Sequence, residues 1–574
     1  MQPLRLPFFS LVLFFLIWFV FPKETISFAC STTTCAAERS PSLLRSFSSA
    51  MPPDSQGYSS HDKFLLGYVT DVEGNTDYFL RYVDQSNVLT VQEEMSTAQT
   101  LILDLLGTNT YFVYGGDAVD KGPGDIRLVR ALVDLKKRYP ERVYLLVGNR
   151  DLNKLRLTAE LADDDMQREI SSIPPPHWDP TAPTLEQYLK QKQLQEQQEM
   201  NATKSLEHLN TRVNRLKYLL DHTLGCPNTF RFRREELSVL LGVNKSTITD
   251  EQVLESFLYE VEDPNGSLRQ YMECANVAVV IGNTLFCHGA VDCNTMKYIP
   301  RDDTKFENPI SKPPAGEIVE NLRAWVRALN KYLERGLEDY RSRPYWNADR
   351  SSRGGDTLMA LQNRPAVWGR SIVSNSYGDG GCITSDHATQ IRTDPERIAQ
   401  EIDNPLVFEK VSSDPLDTSV ADWLLQNEIQ RVVVGHKPTG DCPAVLSATY
   451  HGVEIVSADT SFSDTRADDN RGAAIGIVEV FGESSTDNQL ELRGLLRNGE
   501  AYVSKFLRLH DAGKVDTCTG DAMLGLRIQH DNLDYWIKAA TADGAHYWLT
   551  RGHGRHVEYK TVDKGAIQKE LILK

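Results

Sequence analysis

Five short apolar runs punctuate the chain, and each closes on a polar cluster: FLLGYVTD, YFVYGGD, VYLLVGN, VAVVIGNTLFCHG and RVVVGH. Runs of this kind, flanked by glycine and turn residues, predict buried strands whose carboxyl ends carry polar loops. The segments TAQTLILDLL and IRLVRALVDLKKRY fall between them and predict helices. Strands alternating with helices, with chemistry at the strand ends, are the layout of an α/β enzyme.

Two long stretches interrupt this pattern, at about 155–275 and about 300–425. In the first, Thr184 with Gln187 predicts a capping box at the start of a helix. Farther on, Leu206, Leu209, Val213, Leu216 and Leu220 step by three and four, the apolar stripe of a single helix. The Gln-rich QKQLQEQQE predicts a solvated helix face. In the second stretch, EIVENLRAWVRALNKYLERGLEDY predicts another helix, followed by the loops SSRGGD and NRPAVWGRS. Residues 61–485 thus read as one domain with two insertions, and 486–574 as a small β-rich extension.

The first 29 residues read as a targeting segment. Arg5 precedes the apolar run FFSLVLFFLIWFVF of 14 residues, shorter than the roughly 20 of a membrane span. Ser27 and Ala29 suit cleavage before Cys30. The expectation is a cleaved signal peptide at 1–29, no stable membrane span afterwards, and a secretory or extracellular destination. Residues 30–60 are Ser-rich with Arg39 and Arg45, a linker or a transit-like segment, so a two-step route to a plastid is the alternative.

Composition narrows the function. Of 574 residues, 41% are hydrophobic and 9% aromatic, which excludes disorder as a description of the whole chain. The formal net charge of −17 opposes nucleic acid or anionic lipid as partners, since both require a basic face. Phosphate can still bind where cations are concentrated locally. Nine scattered cysteines with no C-x-x-C pair support neither a disulfide scaffold nor a zinc ribbon.

The polar clusters supply the candidate chemistry. TDVEGN offers Asp71 and Glu73, GGDAVDKG offers Asp117, Asp120 and Lys121, and VGNRD offers Asn149, Arg150 and Asp151. FCHGA and VVGHKP offer His288 and His436. One such cluster alone is more often a turn or a helix cap. Five in order, each at the end of an apolar run, form a pattern.

That pattern resembles the ordered motifs of the calcineurin-like metallophosphoesterases, which include the phosphoprotein phosphatases: D-x-H, G-D-x-x-D-R-G, G-N-H-E, a His–Gly and a further Gly–His. The middle pair is the most specific, Asp117 and Asn149 standing 32 residues apart with a helical pattern between. The resemblance covers strands between about 64 and 480. It implies an α/β fold, a two-sheet α-β-β-α sandwich, with metals held at the strand ends. It further implies two divalent ions (Mn, Fe or Zn) ligated by Asp71, Glu73, Asp117, Asn149, His288 and His436, with Asp117 bridging. The implied reaction is hydrolysis of a phosphorylated small molecule or protein by a metal-bridging hydroxide, with no enzyme nucleophile.

Two residues depart from the family pattern. Glu73 stands where the family places His, and Arg150 where phosphoprotein phosphatases carry the catalytic His. Arginine stays protonated and cannot act as a general acid at neutral pH, but it can grip phosphate in a bidentate fork. Together with Lys121 it moves positive charge from the metals to side chains. Asp120, Arg150 and Asp151 are therefore the catalytic candidates, and Lys121, Arg150 and Arg370 the phosphate clamps. The G-N-R-D form also resembles metallophosphoesterases that cleave pyrophosphate-linked sugar nucleotides, whose leaving group needs little protonation. The alternative to an enzyme is a pseudophosphatase acting as a binding or scaffold module.

Overall fold

The computed structural model describes residues 63–574 except 176–181, 201–204, 292–294, 303–315, 364–415, 437–438, 448–451, 461–472, 484–487, 507–508, 511–513, 516–522, 525–526, 552–557 and 568–574. All described residues belong to one compact unit, Ser60–Lys574. Arg370 and its neighbour Arg364 lie outside the described residues.

The protein is mixed α/β with several sheets. A six-stranded sheet runs in the order Ala501–Phe506, Gln489–Leu495, Ile475–Phe481, Leu65–Val69, Thr110–Tyr114, Val143–Leu145. Its last three strands are mutually parallel. A five-stranded sheet runs Ala444–Ser447, Glu454–Ser457, Arg431–Val434, Thr284–Cys287, Ala278–Ile281, with Arg431–Val434 parallel to both of its neighbours.

Side chains alternate between two buried clusters along these strands, as a period of two requires. Leu66, Tyr68, Val113, Phe286, Val433 and Val456 join one cluster drawn from both sheets, with the rings of Tyr68 and Phe286 stacked at 5.8 Å. Val69, Phe112, Leu285, Val432 and Ile455 join another, together with Leu128 and Leu132 of helix Asp125–Arg138 and Trp325 and Leu329 of helix Leu322–Ser342. Burial on both faces explains why the sequence shows continuous apolar runs instead of alternation.

Several expectations change against this frame. TAQTLILDLL is not a helix: Leu103–Leu105 is a strand paired antiparallel with Leu89–Val91. Neighbouring strand edges and the Asp104 carboxylate, which accepts from Gln92 and Tyr139, outweigh the local apolar run. The stripe from Leu206 to Leu220 is not one helix either. It is broken into Leu206–Leu209, Arg212–Tyr218 and a π-turn at Leu219–Thr223. Thr211 starts the second piece by accepting from the Asn214 N–H at 3.2 Å, and a capping residue of this kind restarts a helix whatever the apolar period. Leu209 consequently joins a different cluster from Leu216 and Leu220. The Thr184–Gln187 capping box is present in both directions, at 2.8 and 3.2 Å.

The six-stranded sheet continues past residue 485 through its strands Gln489–Leu495 and Ala501–Phe506. A separate four-stranded sheet, Arg527–His530, Leu533–Ala540, His546–Arg551 and Glu558–Asp563, packs into the cluster shared by the two larger sheets. No helix of the described residues is long and apolar enough to cross a membrane.

The first insertion is bound tightly to the core. Helix Asp125–Arg138 starts at Gly124 with no side-chain cap of its own. Glu236, from the insertion's helix Thr229–Leu241, provides one. The N–H groups of Ile126 and Arg127 donate to its two carboxylate oxygens at 3.1 and 3.0 Å. Arg233 of the same helix pairs with Asp125 at 3.1 Å and lies over the ring of Phe257. A buried carboxylate at a helix N-terminus satisfies donors that would otherwise lack partners and complements the helix dipole. Glu236→Ala would leave those two N–H groups without their carboxylate while Arg233 keeps Asp125, so it should cost about 1–3 kcal/mol of stability, read as a lower urea midpoint. A change below about 0.5 kcal/mol would show that this cap does not hold the insertion in place.

Candidate metal centre

Five chain segments leave the carboxyl ends of parallel strands and meet at one end of the two sheets. Asp71 follows Leu65–Val69, Asp117 follows Thr110–Tyr114, and Asn149 follows Val143–Leu145. His288 and His436 follow Thr284–Cys287 and Arg431–Val434. The backbone at these corners is strained. Asp71, Glu73, Asp117 and His436 have φ of 52°, 49°, 53° and 72°, and Asp120 has 129°. A non-glycine residue avoids positive φ at a cost of about 1–3 kcal/mol and holds it only where its surroundings fix it, a pattern that clusters at functional sites.

Backbone hydrogen bonds lock the corners together. The Asp71 N–H donates to Gly116 O at 3.0 Å, Glu73 N–H to Asp117 O at 3.0 Å, and Gly435 N–H to His288 O at 2.9 Å. Glycine is required at two close approaches. A Cβ on Gly148 would collide with the Asp117 carboxylate, and one on Gly435 with Thr70 and Asp71.

Asp117, His288 and His436 present ligand atoms all within 4.8 Å of one another. Asn149 sits among them, its amide oxygen 3.1 Å from His288 Nε2 and 2.9 Å from His436 Nδ1. His288 Nδ1 faces the Gly115 carbonyl at 2.9 Å, which makes Nδ1 the protonated nitrogen and leaves Nε2 as a lone pair in the neutral ring. That lone pair points at two further acceptors, Asn149 Oδ1 and Asp117 Oδ1, the latter at 3.5 Å. Acceptors converging in this way suit a cation between them.

In the metal-free protein that cation is a proton. Burial alone would lower the His288 pKa, but Asp117 and Asp71 outweigh it and raise it to about 10. Asp117 is buried too, yet His288, Arg150 and His436 hold its carboxyl well below the usual range. Burial and then neighbouring Asp459 push Asp71 well above it. A donor set of carboxylates, an amide oxygen and imidazoles suits a borderline divalent ion, and a bound ion would reverse the shifts of His288 and Asp71 and deepen that of Asp117. The residues present fit a metal.

The remaining candidates surround this group. Asp71 Oδ2 accepts from the His436 N–H at 3.0 Å and from Thr70 Oγ1 at 2.5 Å. Glu73 faces two cations, Arg150 Nε in close contact and Lys121 Nζ at 3.3 Å. The Arg150 guanidinium also stands 3.6 Å from Asp117 and 3.4 Å from Asp120. Burial works against its charge, but Glu73, Asp120 and Asp117 outweigh that and raise its pKa further. Lys121, Asn149, Arg150 and His436 are partly exposed, whereas Asp71, Glu73, Asp117, Asp120 and His288 are buried, so solvent reaches the centre from the cationic side.

Asp151 occupies a different position from the one its place beside Arg150 suggests. Its carboxylate accepts three backbone N–H groups, from Asp117 at 3.0 Å, Ala118 at 2.9 Å and Gly148 at 2.8 Å. With both oxygens engaged in this way, it braces the two loops that carry Asp117 and Asn149. Sequence reasoning missed Lys154, which is buried with Nζ 2.6 Å from Asp120 Oδ1. It also missed Gly225 and Thr229 of the insertion, which contact Arg150 and the Asp120 carbonyl. Only the one-turn spacing of Lys154 from Arg150 hinted at the first.

No protein-family profile and no curated protein matches the chain. Among solved structures it is similar to the cold-active protein-tyrosine phosphatase of a psychrophile, Shewanella sp., at 11% identity over 77% of this chain and 80% of that one, with a TM-score of 0.30. It is also similar to a protein serine/threonine phosphatase from Saccharomyces cerevisiae with similarity to human phosphatase PP5, at 10% identity over 74% of each chain, with a TM-score of 0.28. These structural neighbours are phosphatases. Superposition this loose transfers no activity, and the functional reading rests on the geometry of the site.

Proposed function

We propose that the protein is a metal-dependent phosphoesterase of the calcineurin-like type, its two larger sheets forming the sandwich of that fold. The observation that carries this reading is the convergence of ligand atoms of Asp117, His288 and His436 within 4.8 Å of one another, with the Asn149 amide oxygen among them. Asp117, Asn149, His288 and His436 would hold one divalent ion, and Asp71 and Glu73 with Asp117 a second. Such a pair of ions supplies an activated water and neutralises charge on the phosphoryl oxygens.

The chain's own groups then do the rest. Arg150 and Lys121 stand at the open side, where they bind and orient the phosphate. Asp151 keeps the Asp117 and Asn149 loops in register, and His288 is oriented by the Gly115 carbonyl. Arg150 cannot release a proton to the leaving oxygen. Bonds with a stable leaving group are therefore favoured over simple alkyl phosphates.

A panel of an aryl phosphate, an alkyl phosphate, a phosphopeptide, a dinucleoside polyphosphate and a sugar nucleotide, each with Mn, Zn or Mg, tests the reading. Metal-dependent turnover is expected, with the anhydrides and the aryl phosphate at least about 100-fold above the alkyl ester, in the range that a general acid contributes. Bound metal without turnover of any member would identify a pseudophosphatase. A marked preference for the phosphopeptide would refute the leaving-group argument.

A further inference from the structure

We propose that Lys154 is a positioning residue for the phosphate-binding arginine. It neutralises Asp120 so that Arg150 can turn towards substrate. This rests on Arg150 facing a phosphate, and so on the reading above, but it concerns a residue to which that reading gives no role.

The geometry separates the two cations around Asp120. Lys154 Nζ lies 2.6 and 2.7 Å from the two Asp120 oxygens, whereas the Arg150 NH1 contact is longer, at 3.4 Å. Lys154 and Asp120 are both buried, with side chains 2% and 0% exposed, while Arg150 retains 15%. The lysine's remaining donors are taken by Asn153 Oδ1 at 2.5 Å and by the Arg150 carbonyl at 3.0 Å. One ammonium therefore holds both the Asp120 carboxylate and the backbone of the residue it serves. Asp120 is fixed from other directions by the Asp125 carboxylate, which accepts its N–H at 3.0 Å, and by the Thr229 hydroxyl on its carbonyl.

Charge explains why a lysine is buried there. Asp71, Glu73, Asp117 and Asp120 crowd one region. With metals bound, the first three would be neutralised and Asp120 would not. An unpaired buried carboxylate is costly enough to capture the nearest cation, and without Lys154 that cation is Arg150. Capture would draw the guanidinium inward from the open side of the site. Lys154 forestalls this, leaving the longer Arg150–Asp120 contact as a hinge.

The test uses full-length protein loaded with manganese and three variants: Lys154→Met, Asp120→Asn and the double variant. Lys154→Met should weaken orthophosphate binding, measured by calorimetry, and raise KM for the aryl phosphate. Both changes should be about 10- to 100-fold, the equivalent of one lost charge-assisted hydrogen bond, with metal affinity changed less than about threefold. Asp120→Asn in the Lys154→Met background should restore phosphate affinity to near the wild-type value, because the unpaired Asp120 carboxylate that would capture Arg150 is then gone. Lys154→Met with unchanged phosphate affinity, or a double variant no better than the single, would overturn the proposal. Circular dichroism identifies a variant that fails to fold, and Lys154→Arg, which keeps the charge, then takes its place with near-normal affinity expected. Because orthophosphate binding needs no turnover, the test remains decisive if the substrate assays fail: a wild-type protein that binds neither metal nor phosphate refutes the phosphoesterase reading itself.

Discussion

Asp117→Asn should reduce kcat/KM for an aryl phosphate in manganese by at least about 10³-fold, roughly 4 kcal/mol of transition-state stabilisation. The substitution preserves shape and removes one charge at the centre of the group. Asp117 Oδ1 accepts the Arg150 N–H at 2.8 Å and stands 3.5 Å from His288 Nε2, and Arg150 Nε lies 3.6 Å from Oδ2. Asparagine can present one acceptor but not a second anionic oxygen, so a shared carboxylate is the ligand least replaceable by an amide. Steady-state kinetics with a matched circular dichroism spectrum provide the check. Activity within about tenfold of the wild type would exclude Asp117 as a shared ligand.

Removing Arg150 should separate metal binding from phosphate binding. Its Nε contacts Glu73 closely, so it competes with a divalent ion for that carboxylate. Arg150→Met should therefore leave metal affinity unchanged or tighter. Orthophosphate affinity should fall by about 100-fold, the loss of a bidentate charge-assisted contact. Arg150→Lys should recover only part of this, since an ammonium cannot reproduce the planar fork. Calorimetric titration with manganese, then with orthophosphate, measures both. Loss of metal and phosphate binding together would indicate that Arg150 holds the site together instead of serving substrate.

The core of the fold was legible because its strands are buried on both faces. FLLGYVTD, YFVYGGD and RVVVGH carry unbroken apolar runs, and their polar ends meet because the strands lie parallel. Legibility failed where local pattern and tertiary context disagreed. Leu103–Leu105 has an apolar run that suits a helix, yet its pairing with Leu89–Val91 decides the outcome. The insertion's leucines keep a helical period across Asn210 and Thr211, but a cap at Thr211 restarts the chain. In the site, the groups found by motif are the ones at strand ends. Glu236 and Thr229 were invisible because their partners, the start of helix Asp125–Arg138 and the Asp120 carbonyl, are distant in sequence, and Lys154 left only its one-turn spacing from Arg150 as a hint. Asp151 was visible, but its role was not. Nothing in G-N-R-D distinguishes a carboxylate that touches substrate from one that accepts three backbone N–H groups.

The most direct test of the account is an anomalous-difference map from crystals grown in saturating manganese or zinc. One peak is expected among Asp117, Asn149, His288 and His436, and a second beside Asp71 and Glu73, with Asp117 between them. A map without density at Asp117, from protein that is folded and ordered there, would contradict the metal centre and the phosphoesterase reading built on it.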